Sequence, residues 1–337
     1  MLKEEKEGGI TMQPPRLQPG DEIRVIAPSM SMALVKGEQK ALAQERLERF
    51  GFRVTFGRYV DEHDLVFSTS VEKRLEDLHE AFSDPKVKAI FTAVGGYNTN
   101  QLLAHIDYEL IKKNPKILLG CGDITALQLA IYQKTGLITY SGPHFSMFGL
   151  RAFDDYTMQG MIAALTNDAP FELEPSDTWS DEPWHIEEED RSYYTNKGPL
   201  IVTEGSAKGR LIAGNLSTIN LLQGTEFMPS LKNAILFIED DSETHLMKFD
   251  RDLQSLLHLP DAAELQALLI GRFQKESDIT EAALISVLKN KPELAHIPVM
   301  ANVNIGHTDP AATLPTGGAA EVTAVNGETE IMIASQV

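Results

Sequence analysis

The sequence predicts an α/β protein, with a Rossmann- or flavodoxin-like parallel sheet in an N-terminal domain and a smaller, barrel-like α/β domain at the C-terminus. The chain has 337 residues, which is enough for about two domains of ordinary size. From residue 21 to about 150, short β-branched runs alternate with amphipathic segments, a rhythm typical of parallel strands joined by crossover helices. After Gly205 the alternation resumes and ends in two runs with the pattern of a hairpin.

The N-terminal elements follow one another in a regular order. Strands are predicted at EIRVIAPS, RVTFGRYV, KAIFTAV and KILLG, helices from Lys36 to Phe50 and from Val71 to Phe82, and a further helix behind Asp123, a good N-cap residue. Two glycine-marked loops, Gly95-Gly96 and Gly120-Cys121-Gly122, come directly after predicted strands. Because ligands of open parallel sheets bind beyond the carboxyl ends of the strands, we expect the first candidate site in this half.

The C-terminal elements are predicted from a second pattern. Strands are expected at GRLIAGN, AILFIED, ALLIG and PVMANVNIGH, helices near Leu246 to Leu257 and Thr280 to Leu288, and a closing hairpin at EVTAV and TEIMIAS. The antiparallel end distinguishes this domain from the first. We therefore assign residues 1–170 to the N-terminal domain, 171–204 to a connecting loop and 205–337 to the C-terminal domain.

The connecting loop has an unusual composition. Residues 171–191 carry nine acids, one arginine, two prolines and both tryptophans, Trp179 and Trp184, with no sustained helix or strand period. The simplest interpretation is a solvated acidic connector. Two tryptophans are costly to expose, so a lid over a substrate is the alternative interpretation.

Charge and composition exclude several classes of function. There are 30 Lys and Arg against 49 Asp and Glu, a formal charge of −19, which argues against nucleic acid or an anionic membrane as the main partner. No apolar run approaches the ~20 residues of a membrane span, and the first residues lack the apolar core of a signal peptide, so we expect a cytoplasmic protein. A single cysteine excludes an intrachain disulfide and a cysteine-rich zinc site. Since His144, His185 and His245 lack metal-ligand spacing, no metal or cofactor is expected.

Three loops place polar residues directly after apolar strands, where side chains are held rigidly enough for catalysis. They contain Cys121 to Asp123, the pair Glu239 and Asp240, and His307. A carboxylate and a histidine are the orienting and proton-transferring members of a hydrolytic triad, and the nucleophile is missing from these loops. An isolated acid or histidine at a strand end is more often a capping or surface residue, so the spacing alone does not establish a site.

The ordered motifs of the chain resemble those of the LD-carboxypeptidases and their microcin C immunity relatives, serine peptidases with a Ser-Glu-His triad. The resemblance extends over nearly the whole chain through VIAPS, VGGYNTNQLL, GCGDITALQLAIYQKTGLITYSGP, GNLSTINLLQGT, LFIEDDSE and NIGHTDPAATLPTGG. GGYNTNQLL and the long acidic loop with its tryptophans look more like the microcin C immunity branch than the murein-recycling branch.

The resemblance implies a catalytic set with one departure. The glutamate of the family corresponds to Glu239 and its histidine to His307, whereas the position of the nucleophilic serine is occupied by Gly122. Glycine has no side chain, so the chain cannot form the acyl-enzyme expected of the family. Either an engineered substitution or a natural loss of catalysis explains the glycine, and we favour the first because every other motif is intact.

The backbone amides of Gly96 and Asp123 are the implied oxyanion donors. Cys121 occupies the aromatic position of the family motif, one residue before the nucleophile. A thiol at a helix N-terminus can act as a nucleophile, but a packed, inert thiol is the favoured interpretation of Cys121.

The implied substrate is an amide that joins an aminoacyl or peptidyl group to a nucleotide-like moiety. Trp184 or Trp179 would stack on the nucleobase, Asn215 would contact the substrate, and the chain would form a homodimer. The murein-recycling alternative is cleavage of the amide between an L-centre and a terminal D-alanine. A catalytically dead protein that sequesters the same ligand is the competing hypothesis of another class.

Overall fold

The computed structural model describes residues 11–151, 153, 155–181 and 191–334, and its first β-sheet confirms the predicted N-terminal alternation. The parallel strands are β1 (Glu22–Ile26), β2 (Arg53–Phe56), β3 (Val87–Thr92), β4 (Ile117–Gly120) and β5 (Thr139–Ser141). The helices of this half are α1 (Gly37–Arg49), α2 (Val71–Ser83), α3 (Tyr108–Lys113), α4 (Ile124–Thr135) and α5 (Asp155–Thr166). In the order β5-β4-β3-β1-β2, the chain extends the sheet from β1 towards β2 and then, from β3, towards β5. Because these strands are parallel, the loops after β1, β3 and β4 lie at the same carboxyl edge.

The second sheet has a parallel centre and antiparallel edges, as predicted for the C-terminal half. Its strands are β6 (Phe171–Glu172), β9 (Leu200–Thr203), β10 (Gly205–Asn215), β11 (Ala234–Glu239), β12 (Ala267–Gly271), β13 (Val299–Val303), β15 (Ala319–Val325) and β16 (Glu328–Ala334), in the order β6-β16-β15-β10-β11-β12-β13-β9. The short strands β7 (Thr178–Trp179) and β8 (Tyr194–Thr195) pair separately. The helices are α6 (Leu216–Asn220), α7 (Leu246–Leu257) and α8 (Glu281–Lys289).

The closing hairpin is formed by β15 and β16, which pair antiparallel in the predicted place. Asn326 and Gly327 connect the two strands, with φ angles of 53° and 82°. Successive positive φ angles belong to the tight turn whose twist matches that of the flanking strands, and Asn-Gly is its preferred sequence. The turn therefore follows from two residues of local sequence.

The two halves of the chain are joined by strand exchange and by close packing. β14 (Leu314–Thr316), which comes late in the chain, pairs antiparallel with β5 and completes the first sheet. Ten of the twelve residues of α4 are buried, and a Cβ at Gly214 of β10 would overlap Thr125 of this helix. The carboxyl edge of the second sheet is therefore held directly against the start of α4.

Two strands within the segment assigned to the connecting loop, β6 and β9, belong to the edges of the second sheet. Between them lie β7 and β8, whose pairing closes the base of the acidic loop. Throughout the described ranges, no helix combines the length and the apolar character that a membrane crossing requires.

Candidate active site

The turn between β4 and α4 carries Gly122, the position that the family resemblance assigns to the nucleophile. Gly122 has a φ of +58°, in the left-handed region, and a Cβ at this position would lie 3.7 Å from Nε2 of His307. A hydroxyl on that Cβ would come within hydrogen-bonding reach of the imidazole. The turn therefore directs residue 122 at His307, although glycine has no side chain to reach it.

Glu239 and His307, both predicted as site residues, lie in contact. Glu239 ends β11 and is 8% exposed, and its Oε2 lies 2.5 Å from Nδ1 of His307 in the loop after β13. A Cβ at Gly306 would lie only 2.6 Å from Cβ of Glu239, so the loop approaches the carboxylate as closely as glycine allows. The carboxylate holds the imidazole through Nδ1 and leaves Nε2 directed towards residue 122.

The charge of His307 is set by its acidic surroundings. Burial lowers the pKa of its imidazole, but Glu239, through its charge and its hydrogen bond, and then Asp241 and Asp240 raise the pKa to about 9. The buried His144 nearby behaves in the opposite way, because burial and then the charge of His307 lower its pKa to about 3. Near neutral pH the site thus holds a protonated His307 beside a neutral His144.

Cys121 has the properties of an inert thiol. Burial and, secondarily, the charge of Glu239 raise the pKa of this thiol well above its ordinary value. Cys121 and Glu239 line a cavity of about 20 Å³ behind the turn, enough for about one water molecule. A thiol that stays protonated is a poor nucleophile, which favours an inert Cys121, although the residue is partly exposed.

The predicted oxyanion donors lie at the ends of β3 and β4. Among the described residues, the amides of Gly96 and Asp123 donate no hydrogen bond, so both are available to a ligand. Gly96 has a φ of +148°, and a Cβ there would overlap the side chain of Ser29 and lie 3.0 Å from the amide nitrogen of Met30. Only glycine allows this approach of the two loops.

Asp123 occupies the N-cap position of α4, as predicted, but its side chain does not cap the helix. Its backbone is helical, with φ −58° and ψ −25°, and its side chain makes no capping hydrogen bond to α4. The carboxylate instead accepts hydrogen bonds from Ser29 and Thr99, which lie in the loops after β1 and β3. Ser29 and Thr99 were not among the residues predicted from the sequence, although each follows a strand at the carboxyl edge of the sheet.

The other predicted ligand contacts have partners within the protein. Asn215 is 3% exposed, caps α6 through Thr218 and donates to Asp240 over 3.1 Å. The Trp179 ring packs against Tyr194 at 5.1 Å between centroids, with the Arg272 guanidinium 4.8 Å from the Trp179 centroid. Trp184 and His185 lie outside the described residues. The assignment of Asn215, Trp179 and Trp184 to substrate contacts stays a prediction.

The acidic loop is attached to the segment that carries His307. Ser180 and Asp309 exchange two backbone hydrogen bonds of 2.7 and 2.8 Å. At the other end of the loop, Arg191 forms an ion pair of 2.7 Å with the Asp309 carboxylate. Ser180 and Arg191 therefore both contact Asp309, which follows His307 by two residues in the chain.

The chain belongs to the LD-carboxypeptidase family, whose N-terminal and C-terminal domain models match residues 23–142 and 208–322. It is 50% identical to YocD of Bacillus subtilis (strain 168), provisionally named a carboxypeptidase, over 94% of this chain and 98% of YocD. The crystal structure of an MccF-like protein from Bacillus anthracis str. Ames, 48% identical, superposes with a TM-score of 0.95 over 96% of this chain and 99% of that one. The structure of MccF in complex with glutamyl sulfamoyl guanosine, 30% identical, gives 0.85 over 96% and 98%.

We expect Gly122→Ser to lower the free energy of unfolding by about 1–2 kcal/mol, the typical cost of a left-handed conformation for a residue with a Cβ. The nearest atoms to that Cβ, in His307, are 3.7 and 3.9 Å away, so no steric clash adds to this cost. Urea unfolding measures the difference. Gly160→Ser is the control, because Gly160 lies in helix α5 with open space around it and should not destabilise the protein. Equal or greater stability of Gly122→Ser would contradict the observed turn geometry.

In the serine variant, log kcat/KM should rise with pH with a slope of about one up to a pH near 9, because only the neutral His307 imidazole accepts a proton. Two units below this pKa, only about 1% of the imidazole is neutral. The raised pKa also stabilises the fold fully below pH 6.5, and this contribution is lost as the pH rises through about 9. A pH–rate profile tests the first effect, and Glu239→Gln should move its rising limb to lower pH. A limb that ends below pH 7 would exclude His307 as the titrating group.

Proposed function

We propose that the chain holds the binding pocket of a serine carboxypeptidase or amidase of the microcin C immunity type, and that Gly122 makes it inactive in hydrolysis. Its ligand would be an aminoacyl or peptidyl group joined through an amide to a nucleotide-like moiety. The observation that carries the proposal is the direction of residue 122, whose Cβ would lie 3.7 Å from Nε2 of a histidine already oriented by Glu239. In this proposal, the nucleophilic oxygen is the group that the site lacks.

The mechanism follows for a form that carries serine at position 122. Neutral His307 would take the hydroxyl proton while the oxygen attacks the amide carbonyl, and Glu239 would stabilise the imidazolium that forms. The amides of Gly96 and Asp123 would bind the oxyanion. His307 would then give its proton to the leaving nitrogen, and water, deprotonated by the same imidazole, would release the acyl group. Without the serine, this sequence has no first step.

The nucleotide part of the ligand is supported by similarity. MccF, whose structure resembles this one with a TM-score of 0.85, is known in complexes with glutamyl sulfamoyl guanosine and with aspartyl sulfamoyl adenosine. In our proposal, a tryptophan of the acidic loop stacks on the nucleobase. Trp184 is the better candidate, because the ring of Trp179 already packs against Tyr194 and Arg272. The proposed assembly is a homodimer, as the family resemblance implies.

Two alternatives keep the same pocket. A murein tetrapeptide would need a cation for its terminal carboxylate, and two cations near the site are engaged: Lys248 with Asp252 at 2.7 Å, and Arg191 with Asp309. In a natural binding protein that sequesters its ligand, glycine would be the natural residue at position 122. In an engineered variant, glycine would have replaced a natural serine. Restoration of the serine separates an interrupted enzyme from a binding protein whose site has changed further.

The chain as given should not hydrolyse aminoacyl-sulfamoyl adenosine, and Gly122→Ser should create this activity, because it supplies the only missing group of the catalytic set. Release of the amino acid, followed by chromatography, measures the reaction. In the serine variant, Glu239→Ala and His307→Ala should each reduce kcat by about 10⁴-fold or more, since members of a triad act as a unit.

Cys121→Ala is the matched control for that experiment. If the chain as given hydrolyses the substrate and Cys121→Ala does not alter the rate, the assignment of position 122 is wrong. A loss below about tenfold for His307→Ala would also exclude it as the general base, which typically contributes 10² or more.

The acidic loop should distinguish the two substrate classes. Trp184→Ala should weaken binding of a non-hydrolysable aminoacyl-adenylate analogue by roughly 1–3 kcal/mol, the usual value of stacking between a base and an aromatic ring. Binding of a muropeptide should be nearly unchanged. Calorimetry on the chain as given suits this test, because intact ligand persists without a nucleophile. Tight binding of the muropeptide together with no binding of the analogue would replace the immunity-type assignment by the murein-recycling one.

A further inference from the structure

We propose that the side chain of Asp123 is a positioning residue for the oxyanion-binding loop, and that it acts through Ser29 and Thr99. This inference rests on the proposed function, in which the amide of Gly96 binds the oxyanion. It adds a role for the Asp123 carboxylate, distinct from the role of its backbone amide. Buried Arg74 binds the same loop through Asn98 and Gln101.

The Asp123 carboxylate connects three loops at one edge of the first sheet. Its Oδ2 accepts a hydrogen bond of 2.6 Å from Oγ of Ser29, one of 2.9 Å from the amide of Thr99 and one of 2.6 Å from Oγ1 of Thr99. Asp123 is 6% exposed, and both partners are fully buried. In such surroundings, hydrogen bonds to a charged acceptor are short and strong, so the three loops are fixed relative to one another.

The position of Ser29 determines how closely the Gly96 loop can approach. A Cβ at Gly96 would overlap Oγ of Ser29, and the amide of Met30 donates to the carbonyl of Gly95 over 3.2 Å. The Gly95–Gly96 backbone therefore rests on the segment that the carboxylate holds through Ser29. Thr99 fixes the same loop three residues further along the chain.

Arg74 of α2 also binds the loop that carries Gly96 and Thr99. This residue is 2% exposed, and its Nη1 donates to the carbonyl of Pro28 over 3.0 Å and to the backbone and side-chain oxygens of Asn98 over 3.2 and 3.0 Å. Its Nη2 donates to Gln101 over 2.7 Å. The guanidinium thus joins the loop after β1 to the loop after β3 through residues next to Ser29 and Thr99.

The direction of the Asp123 contacts separates this role from ordinary helix capping. An aspartate at the start of a helix commonly accepts hydrogen bonds from the second or third amide of that helix, a contact worth about 1 kcal/mol. Here the carboxylate forgoes that contact and binds only the neighbouring loops. The arrangement places the amides of Asp123 and Gly96, one on each of two connected loops, in a fixed relation.

The expected consequence is a loss of rate without a loss of binding. One misplaced donor of an oxyanion hole typically reduces kcat by about 10²-fold, because the donor acts mainly in the transition state. In the Gly122→Ser protein, Thr99→Val and Ser29→Ala should each reduce kcat about 10- to 100-fold and change KM less than about threefold. Thr99→Ser, which keeps the hydroxyl, should restore most of the activity. In the chain as given, the dissociation constant of the intact substrate should be unchanged by these substitutions.

Thr135→Val is the matched control, since it removes a buried threonine hydroxyl at the far end of α4, bonded to the carbonyl of Ile131. It should lower stability about as much as Thr99→Val and leave kcat unchanged. If Thr99→Val and Ser29→Ala keep kcat within threefold, the positioning role is refuted while the proposed function stands.

A second measurement does not depend on turnover. In the chain as given, Thr99→Val should move the amide resonance of Gly96 and accelerate about tenfold or more the hydrogen exchange of the Met30 amide, which donates to the carbonyl of Gly95. Thr135→Val should do neither. An unchanged Gly96 resonance together with unchanged exchange at Met30 refutes the inference even if Gly122→Ser proves inactive. Inactivity of Gly122→Ser with a shifted Gly96 resonance and faster exchange at Met30 would instead refute the proposed function and leave the structural connection intact.

Discussion

The contact between the Glu239 carboxylate and the His307 imidazole is the interaction on which the arrangement of the site depends. The two residues leave the second sheet from β11 and β13, which are separated by β12, so the loop after β13 must fold back across the sheet edge. Two glycines make this possible, because a Cβ at Gly271 would lie 2.5 Å from the carbonyl oxygen of Ile305, and one at Gly306 would lie 2.6 Å from Cβ of Glu239. The contact between Glu239 and His307 therefore requires glycine at positions 271 and 306.

This contact also sets the electrostatics of the site. An acidic group against Nδ1 and two more acids nearby favour the imidazolium, while the neutral His144 avoids a second positive charge near His307. The turn that precedes α4 lies next to the charged His307, and close packing of α4 against β10 holds this turn in place. Both halves of the chain are therefore needed to place residue 122 opposite the imidazole.

Glycine at position 122 has two opposite effects. It relaxes a left-handed turn that strains any residue with a Cβ, and, in the proposed function, it leaves the site without the oxygen that would attack a carbonyl. Strained residues are typical of catalytic turns, because the surrounding structure fixes a conformation that the residue alone disfavours. The turn retains this conformation without the side chain that would use it, and the buried hydrogen bonds of Asp123 keep the adjacent loops together.

The sequence by itself determined the alternating elements, the Asn-Gly hairpin turn and the positions of Glu239 and His307 after their strands, because burial periodicity and turn chemistry are local properties. It identified Gly122 as the departure from the family motif. Only the tertiary structure decided that β14 completes the first sheet, that the Asp123 carboxylate binds Ser29 and Thr99 and does not cap its helix, and that Arg191 binds Asp309. Each of these contacts joins segments far apart in the chain, and a polar side chain takes the partner that folding brings nearest, which local sequence cannot specify.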